Sequence, residues 1–351
     1  MEETRGADVM NGAGDSGGQQ ETLRAARKHF SKLGLGFFIG TVVIFAVQLL
    51  AMGAVKMWKP EWLMDPNIAL TISMVPMYLI GMPALILIVK RLPAQVPQRH
   101  SMKAGHFILA AFMSFAVMYL SNIVGIILTT VIGFFKGGTV QNTIANVAMS
   151  LSPAVAFLYM VICAPIMEEL VFRKLIVDRT VRYGQAVAAL LSGLMFGLFH
   201  GNLNQFAYAF TLGVFLAFLY IKTGNLKVTI GLHMIINFFG SVVSMAVLEL
   251  IDLEGLVSLE AGGMQPDAMM AYFSENLMGW LVYICYGLFI IAAVITGVVL
   301  WIVALVKKKF SLAKGEIVIP KGKRFRTVIL NVGMVIYCLA WIGMIIYQLF
   351  Q

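Results

Sequence analysis

Charge is scarce in this chain. Asp, Glu, Lys and Arg make up 12% of its 351 residues, about half the share of a soluble domain, which excludes a water-soluble fold. Cysteine is nearly absent. Cys163, Cys285 and Cys338 stand far apart in apolar stretches, which argues for small buried hydrophobes and against a disulfide framework or a thiolate metal site. There is no glycine-rich nucleotide motif and no long internal repeat. Residues 1–29 lack the short apolar core and small-residue cleavage site of a signal peptide. They are polar and rich in Gly, Glu and Gln, and read as part of a disordered cytoplasmic tail over 1–30.

Apolar residues make up 60% of the chain. A helix needs about 20 of them in succession to cross a bilayer core. Apolar stretches at 33–55, 68–89, 107–135, 152–172, 186–200, 206–221, 228–248, 278–306 and 327–350 meet or approach that length. The fifth and sixth are short. The pattern predicts an all-α polytopic membrane protein, a bundle of about eight or nine transmembrane helices, because a spanning helix satisfies its own backbone. With nine alternating spans and a cytoplasmic N-terminus, 26 Lys and Arg are distributed with only Lys56, Lys59 and Lys136 outside. The positive-inside rule expects such a bias. The net charge of +9 is therefore topological. It points to no nucleic acid, and it suits attraction of the basic 307–326 loop to anionic lipid. The 249–275 loop is acidic and falls outside. Four regions follow: the tail, N-terminal helices over 31–150, a core over 150–240 and C-terminal helices over 241–351.

Charges inside a bilayer are costly and are usually functional. Only the fourth stretch contains any, in Ala164-Pro165-Ile166-Met167-Glu168-Glu169-Leu170-Val171-Phe172-Arg173. Adjacent acids on a helix point about 100° apart, so they can do different jobs. Glu169 and Arg173, four apart, can pair along one face. Glu168 has no such partner on its own helix and is the better candidate for proton transfer. A plain charge cluster at a helix end is the competing reading. Two histidines also lie in apolar segments: His200, four after Phe196, and His233, four before Asn237. A lone intramembrane His is often only an interhelical hydrogen-bond partner. Two of them, with an Asn and two carboxylates on three spans, suit one shared polar site. Glu168 and His200 each lie sixteen residues from Gly184, so a hairpin there would bring them to matching depth. Asp178, Arg179 and Arg182 intervene, so the helix ends are expected to project into the cytoplasm.

Glu168-Glu169-x-x-x-Arg173, Phe196-x-x-x-His200 and His233-x-x-x-Asn237 resemble the three motifs of the CAAX protease and bacteriocin-processing family, in order and with similar spacing. The turn Tyr220-x-x-Thr223-Gly224-Asn225-Leu226 is also similar. Lys174 departs from the small residue that relatives often carry after the Arg. The resemblance covers roughly 150–240. It implies an intramembrane endopeptidase of a bacterial cell membrane, acting on a membrane-associated peptide or protein. It also implies that Glu168 and His200 activate water, that His233 and Asn237 stabilise the oxyanion, and that Glu169 and Arg173 shape and neutralise the site. An amide needs that activated water and that stabilised negative charge. No cofactor is required by this reading. Zinc or another divalent metal, if bound, would take Glu168, His200 and His233, although the sequence lacks His-Glu-x-x-His. Two other functions compete: a proton-coupled transporter relaying protons through Glu168, His200 and His233, and a non-catalytic scaffold or regulator of the same fold. Nothing in the sequence bears on oligomeric state.

Overall fold

The computed structural model describes residues 4–350, apart from Gly262 and Met264. Among the described residues there is no strand, and nine helical segments carry the fold. They are α1 (Thr4–Trp58), α2 (Pro66–Val89), α3 (Ala104–Lys136), α4 (Pro153–Tyr183), α5 (Gln185–Phe199), α6 (Leu203–Thr223), α7 (Leu226–Leu248), α8 (Leu277–Val306) and α9 (Val332–Leu349). All but α5 are long and apolar enough to cross a membrane. The protein is an all-α polytopic membrane protein. The sixth stretch, expected to be short, is a full 21 residues. The fifth is short, and its 15 residues rise only about 22 Å.

The helix α1 starts well ahead of the apolar stretch that announced it. Residues 18–32 continue it as helix instead of forming a disordered tail. The cause is a helical stripe hidden in polar composition: Ala26, Phe30, Leu33 and Phe37 are all buried, at the i, i+4, i+7 spacing of one face. They join α2, α4, α5 and α9 in one packing cluster through Leu85, Phe172, Met195 and Tyr337. A second cluster unites α3, α6, α7 and α8 around Phe115, Leu216, Leu232 and Ile290.

Proline shapes α2 and α4. It has no N–H, so a helix containing it must release a carbonyl. In both segments a wide turn with i→i−5 bonds, Met77–Gly81 and Phe157–Cys163, precedes the sequence X-Pro at Met82-Pro83 and Ala164-Pro165. A second wide turn, Glu169–Val177, holds the charged motif itself. Such turns concentrate at functional sites.

The hairpin of α5 and α6 is built on a close backbone approach. A Cβ at Gly193 would lie 2.7 Å from the Phe210 carbonyl oxygen, and one at Gly197 would lie 3.1 Å from that of Phe206. Gly193-x-x-x-Gly197 is a small-residue face of the kind that lets membrane helices meet closely. At the far end, Gly224 adopts a left-handed φ of 56° and closes α6 through its N–H to the Tyr220 carbonyl at 2.7 Å, which glycine does without strain.

The basic connections gather at one end of the bundle. The 90–103 connection donates from Gln95 N to Asp178 O at 2.5 Å and from His100 N to Thr223 O at 2.6 Å. The 307–326 connection pairs with the α4–α5 turn through Gln185 N to Ala313 O at 3.2 Å and Ile317 N to Arg182 O at 3.0 Å. Under these two straps Asp178 and Arg179 are buried, not projecting into water as the sequence suggested. Tyr220 donates to Asp178 at 2.9 Å, and Arg179 donates to the Val89 carbonyl at 2.8 Å. Burial of these charges is sustained because each finds a polar partner. At the opposite end Asp65 caps α2 by accepting from the N–H groups of Asn67 and Ile68. Those bonds hold its carboxyl below the usual range.

Candidate active site

Four of the six residues singled out by sequence meet directly. Glu169 and Arg173, one turn apart on α4, pair at 2.9 Å with both side chains fully buried. His233 of α7 reaches across from the second packing cluster. Its Nδ1 lies 3.0 Å from Glu169 Oε1 and its Nε2 lies 3.6 Å from Glu168 Oε2. A carboxylate oxygen only accepts, so Nδ1 carries the proton of the shorter bond. The hydroxyl of Thr229, one turn before His233, stands beside the Glu169 carboxylate. The site therefore lies on the seam between the two clusters, where α4 and α5 of one face α7 of the other.

The two acids have different surroundings. Glu169 is fully buried and engaged by Arg173 and His233, whereas Glu168 keeps 17% of its side chain accessible. The roughly 100° between neighbours on a helix produces that split.

His200 stands where α5 ends and the hairpin turns. Its Nδ1 donates to the Phe196 carbonyl, one turn back, at 2.9 Å. Nε2 is then the nitrogen that can accept a proton. Asn202 caps α6, accepting from Gln205 N at 2.8 Å, and donates to the His200 carbonyl at 3.0 Å. His200 lies within electrostatic reach of Glu168, His233 and Arg173. Asn237, one turn beyond His233, donates from Nδ2 to the Met160 carbonyl of α4 at 2.8 Å. That bond ties it to α4 eight residues before Glu168.

Phe196 is the residue that sequence reading quoted but did not place in the site. Its buried ring has the Arg173 guanidinium 4.4 Å from its centroid. It meets the His200 and His233 rings edge to face, at 4.8 and 5.7 Å. One aromatic face therefore spaces both imidazoles and the cation. The Phe of Phe196-x-x-x-His200 was the available signal. Tyr78 of α2 and Tyr208 of α6 also lie within electrostatic reach of Glu168. Nothing in the sequence near either tyrosine marked it.

Residues 150–239 match the family described as type II CAAX prenyl endopeptidase Rce1-like. The chain is 29% identical over 126 residues to YdiL of Bacillus subtilis (strain 168), named as a candidate membrane peptidase, covering 36% of this chain and 51% of that protein. It is 31% identical over 140 residues to the membrane-embedded CAAX protease MroQ of Staphylococcus aureus (strain USA300), covering 37% of this chain and 55% of that one. Over residues 150–239 the chain is similar to the CAAX-protease family. The chain spans about half the length of these curated relatives, and no solved structure matches it. All six motif side chains lie inside the CAAX-protease segment, and α1, α8 and α9 lie outside it.

The donor set for a metal does not converge in this core. Among the described residues no three His, Cys, Asp or Glu side chains are grouped to hold an ion. Glu168 and His233 approach each other, and with Nδ1 of His233 on Glu169 and that of His200 on the Phe196 carbonyl, Nε2 is the nitrogen each ring could offer an ion. A set of Glu168, His200 and His233 needs three donors about 2.0–2.2 Å from one point, which this arrangement does not present.

Proposed function

We propose that the protein is an intramembrane endopeptidase that hydrolyses a peptide bond of a membrane-associated protein or peptide. The observation that carries this reading is the split between its two adjacent carboxylates. Glu168 is accessible and faces His233 and His200, while Glu169 is sealed against Arg173. Glu168 is the general base. It takes a proton from water held between it and Nε2 of His200. The water oxygen attacks the carbonyl carbon, and the carbonyl oxygen gains the negative charge. Asn237 donates to that oxygen, and Nε2 of His233 joins it when the ring carries both protons. The proton on Glu168 then passes to the leaving amine as the C–N bond breaks. Each part is a known requirement of amide hydrolysis.

The reading takes the base to act without a metal. It places the basic straps on the cytoplasmic face of a bacterial cell membrane, from the positive-inside bias. The test uses detergent-solubilised protein incubated with membrane-derived peptides. New peptide termini are expected with wild type, before and after treatment with a chelator. Loss of cleavage on chelation, restored by zinc, would replace the metal-free mechanism. Absence of any cleavage, in the test tube and in membrane peptides compared between cells with and without the protein, would leave the scaffold or transporter readings.

A further inference from the structure

Asn237 holds a carbonyl that an ordinary helix would have bonded itself. The wide turn Phe157–Cys163 ends with the Ala164 N–H on the Tyr159 carbonyl, five residues back. The same register assigns the next carbonyl, Met160, to residue 165. Residue 165 is proline, which has no N–H to give. The neighbouring donor, Ala164 N–H, is already spent. The Met160 carbonyl is thus released by the sequence, inside a membrane segment where an unmet backbone group is costly. It is the group that Asn237 Nδ2 bonds at 2.8 Å.

We propose that Pro165 is a positioning residue for Asn237: by withholding its own N–H it creates the acceptor that fixes the Asn237 amide in the site. This rests on the reading of Asn237 as an oxyanion donor. The Nδ2 group carries two N–H bonds in one plane. With one anchored on α4, the direction of the other is set before substrate arrives, and preorganisation of that kind is what makes such a donor effective. The arrangement adds a second tie between α4 and α7 across the seam, beside the bond from His233 to Glu169.

The test is Pro165→Ala, which returns an N–H and lets the wide turn relax to i→i−4 bonds. Met160 then gains a backbone donor and Asn237 loses its fixed acceptor. The expected result is a fall in kcat of about tenfold or more with KM unchanged, and no further fall when Pro165→Ala is added to Asn237→Ala, since two changes acting through one group are not additive. The Asn237 side-chain 15N resonance, read by solid-state NMR with labelled Asn, shifts in Pro165→Ala. Full kcat, or a loss that adds to that of Asn237→Ala, overturns the proposal. Should the variant fail to fold, wild type alone still decides. A through-space correlation between labelled Asn237 Nδ2 and the labelled Met160 carbonyl carbon is expected, and its absence overturns the anchor. If Asn237→Ala itself keeps full activity while that correlation is present, the oxyanion reading fails and the anchor stands.

Discussion

At the residue scale, the chemistry turns on which polar groups are sealed and which are reachable. Glu169 and Arg173 are fully buried, and Arg173 is covered further by the Phe196 ring. Removing one partner leaves the other charge without compensation, a loss of about 3–5 kcal/mol. Arg173→Met should therefore lower the unfolding temperature in detergent as well as activity. Asn237 and His200 are only half-buried, and no buried charge depends on either for its compensation. His200→Ala should keep the wild-type unfolding profile, whereas Asn237→Ala should lower the unfolding temperature somewhat, because it leaves the Met160 carbonyl unmet. Asn237→Ala should lose about a hundredfold or more in kcat, the effect of deleting an oxyanion donor. An Arg173→Met protein as stable as wild type would contradict the sealed-pair account. The charged residues were legible because any charge in an apolar stretch is conspicuous. The Phe196 ring was less so, since a buried Phe in a membrane helix is usually only packing. Its contact with Arg173, His200 and His233 depends on three helices meeting.

At the element scale, α5 and α6 place His200 by approaching more closely than side chains allow. Gly193 faces the Phe210 carbonyl oxygen and Val214 N, both backbone atoms, so an added side chain cannot be absorbed by a rotamer change. Gly193→Leu should push the hairpin apart and destabilise the protein by about 1–3 kcal/mol or more, with activity lost through displacement of His200. Thermal unfolding and cleavage measured on the same preparation check this, and unchanged values for both would refute the close-approach argument. The helical hairpin at Gly184 was readable from residue counts, and α4 and α5 do turn back on each other there, with Phe172 against Phe196. The wide turns were not readable as such. Pro83 and Pro165 were visible in the sequence, but the i→i−5 register before them depends on how the released carbonyl is met. For Met160 the donor comes from a residue 77 positions on. The length of α1 was missed for a related reason. Its first buried apolar residues, Ala26 and Phe30, are embedded among charged neighbours that suit the bundle's polar end.

At the scale of the whole molecule, the basic connections and the acidic segment separate to opposite ends. The straps over 90–103 and 307–326 meet Asp178, Arg182 and Thr223 at the end where α7 begins. The 249–275 segment follows the other end of α7, 23 residues on, about 34 Å along its axis. Cysteine labelling tests which end is cytoplasmic. With Cys163, Cys285 and Cys338 replaced, an impermeant reagent added to intact cells should label Ser258→Cys and spare Ser311→Cys. The reverse pattern would invert the topology. Hydropathy made the number of passes legible because a bilayer imposes length on each helix. It did not reveal the straps, whose polar residues read as loops and whose pairing with the α4–α5 turn is made mostly through backbone, with the Gln185 side chain accepting from Ala313 N.

The central claim, that Glu168 is the base and Glu169 a sealed structural acid, is tested most directly by Glu168→Gln and Glu169→Gln compared in one detergent preparation for peptide cleavage and unfolding temperature. Glu168→Gln should abolish cleavage with wild-type stability, because the amide keeps shape and hydrogen bonding but cannot take the proton. Glu169→Gln should lose stability along with activity, because Arg173 is left buried without its counter-charge. Full cleavage by Glu168→Gln, beside a stable and inactive Glu169→Gln, would contradict the account and exchange the roles of the two acids.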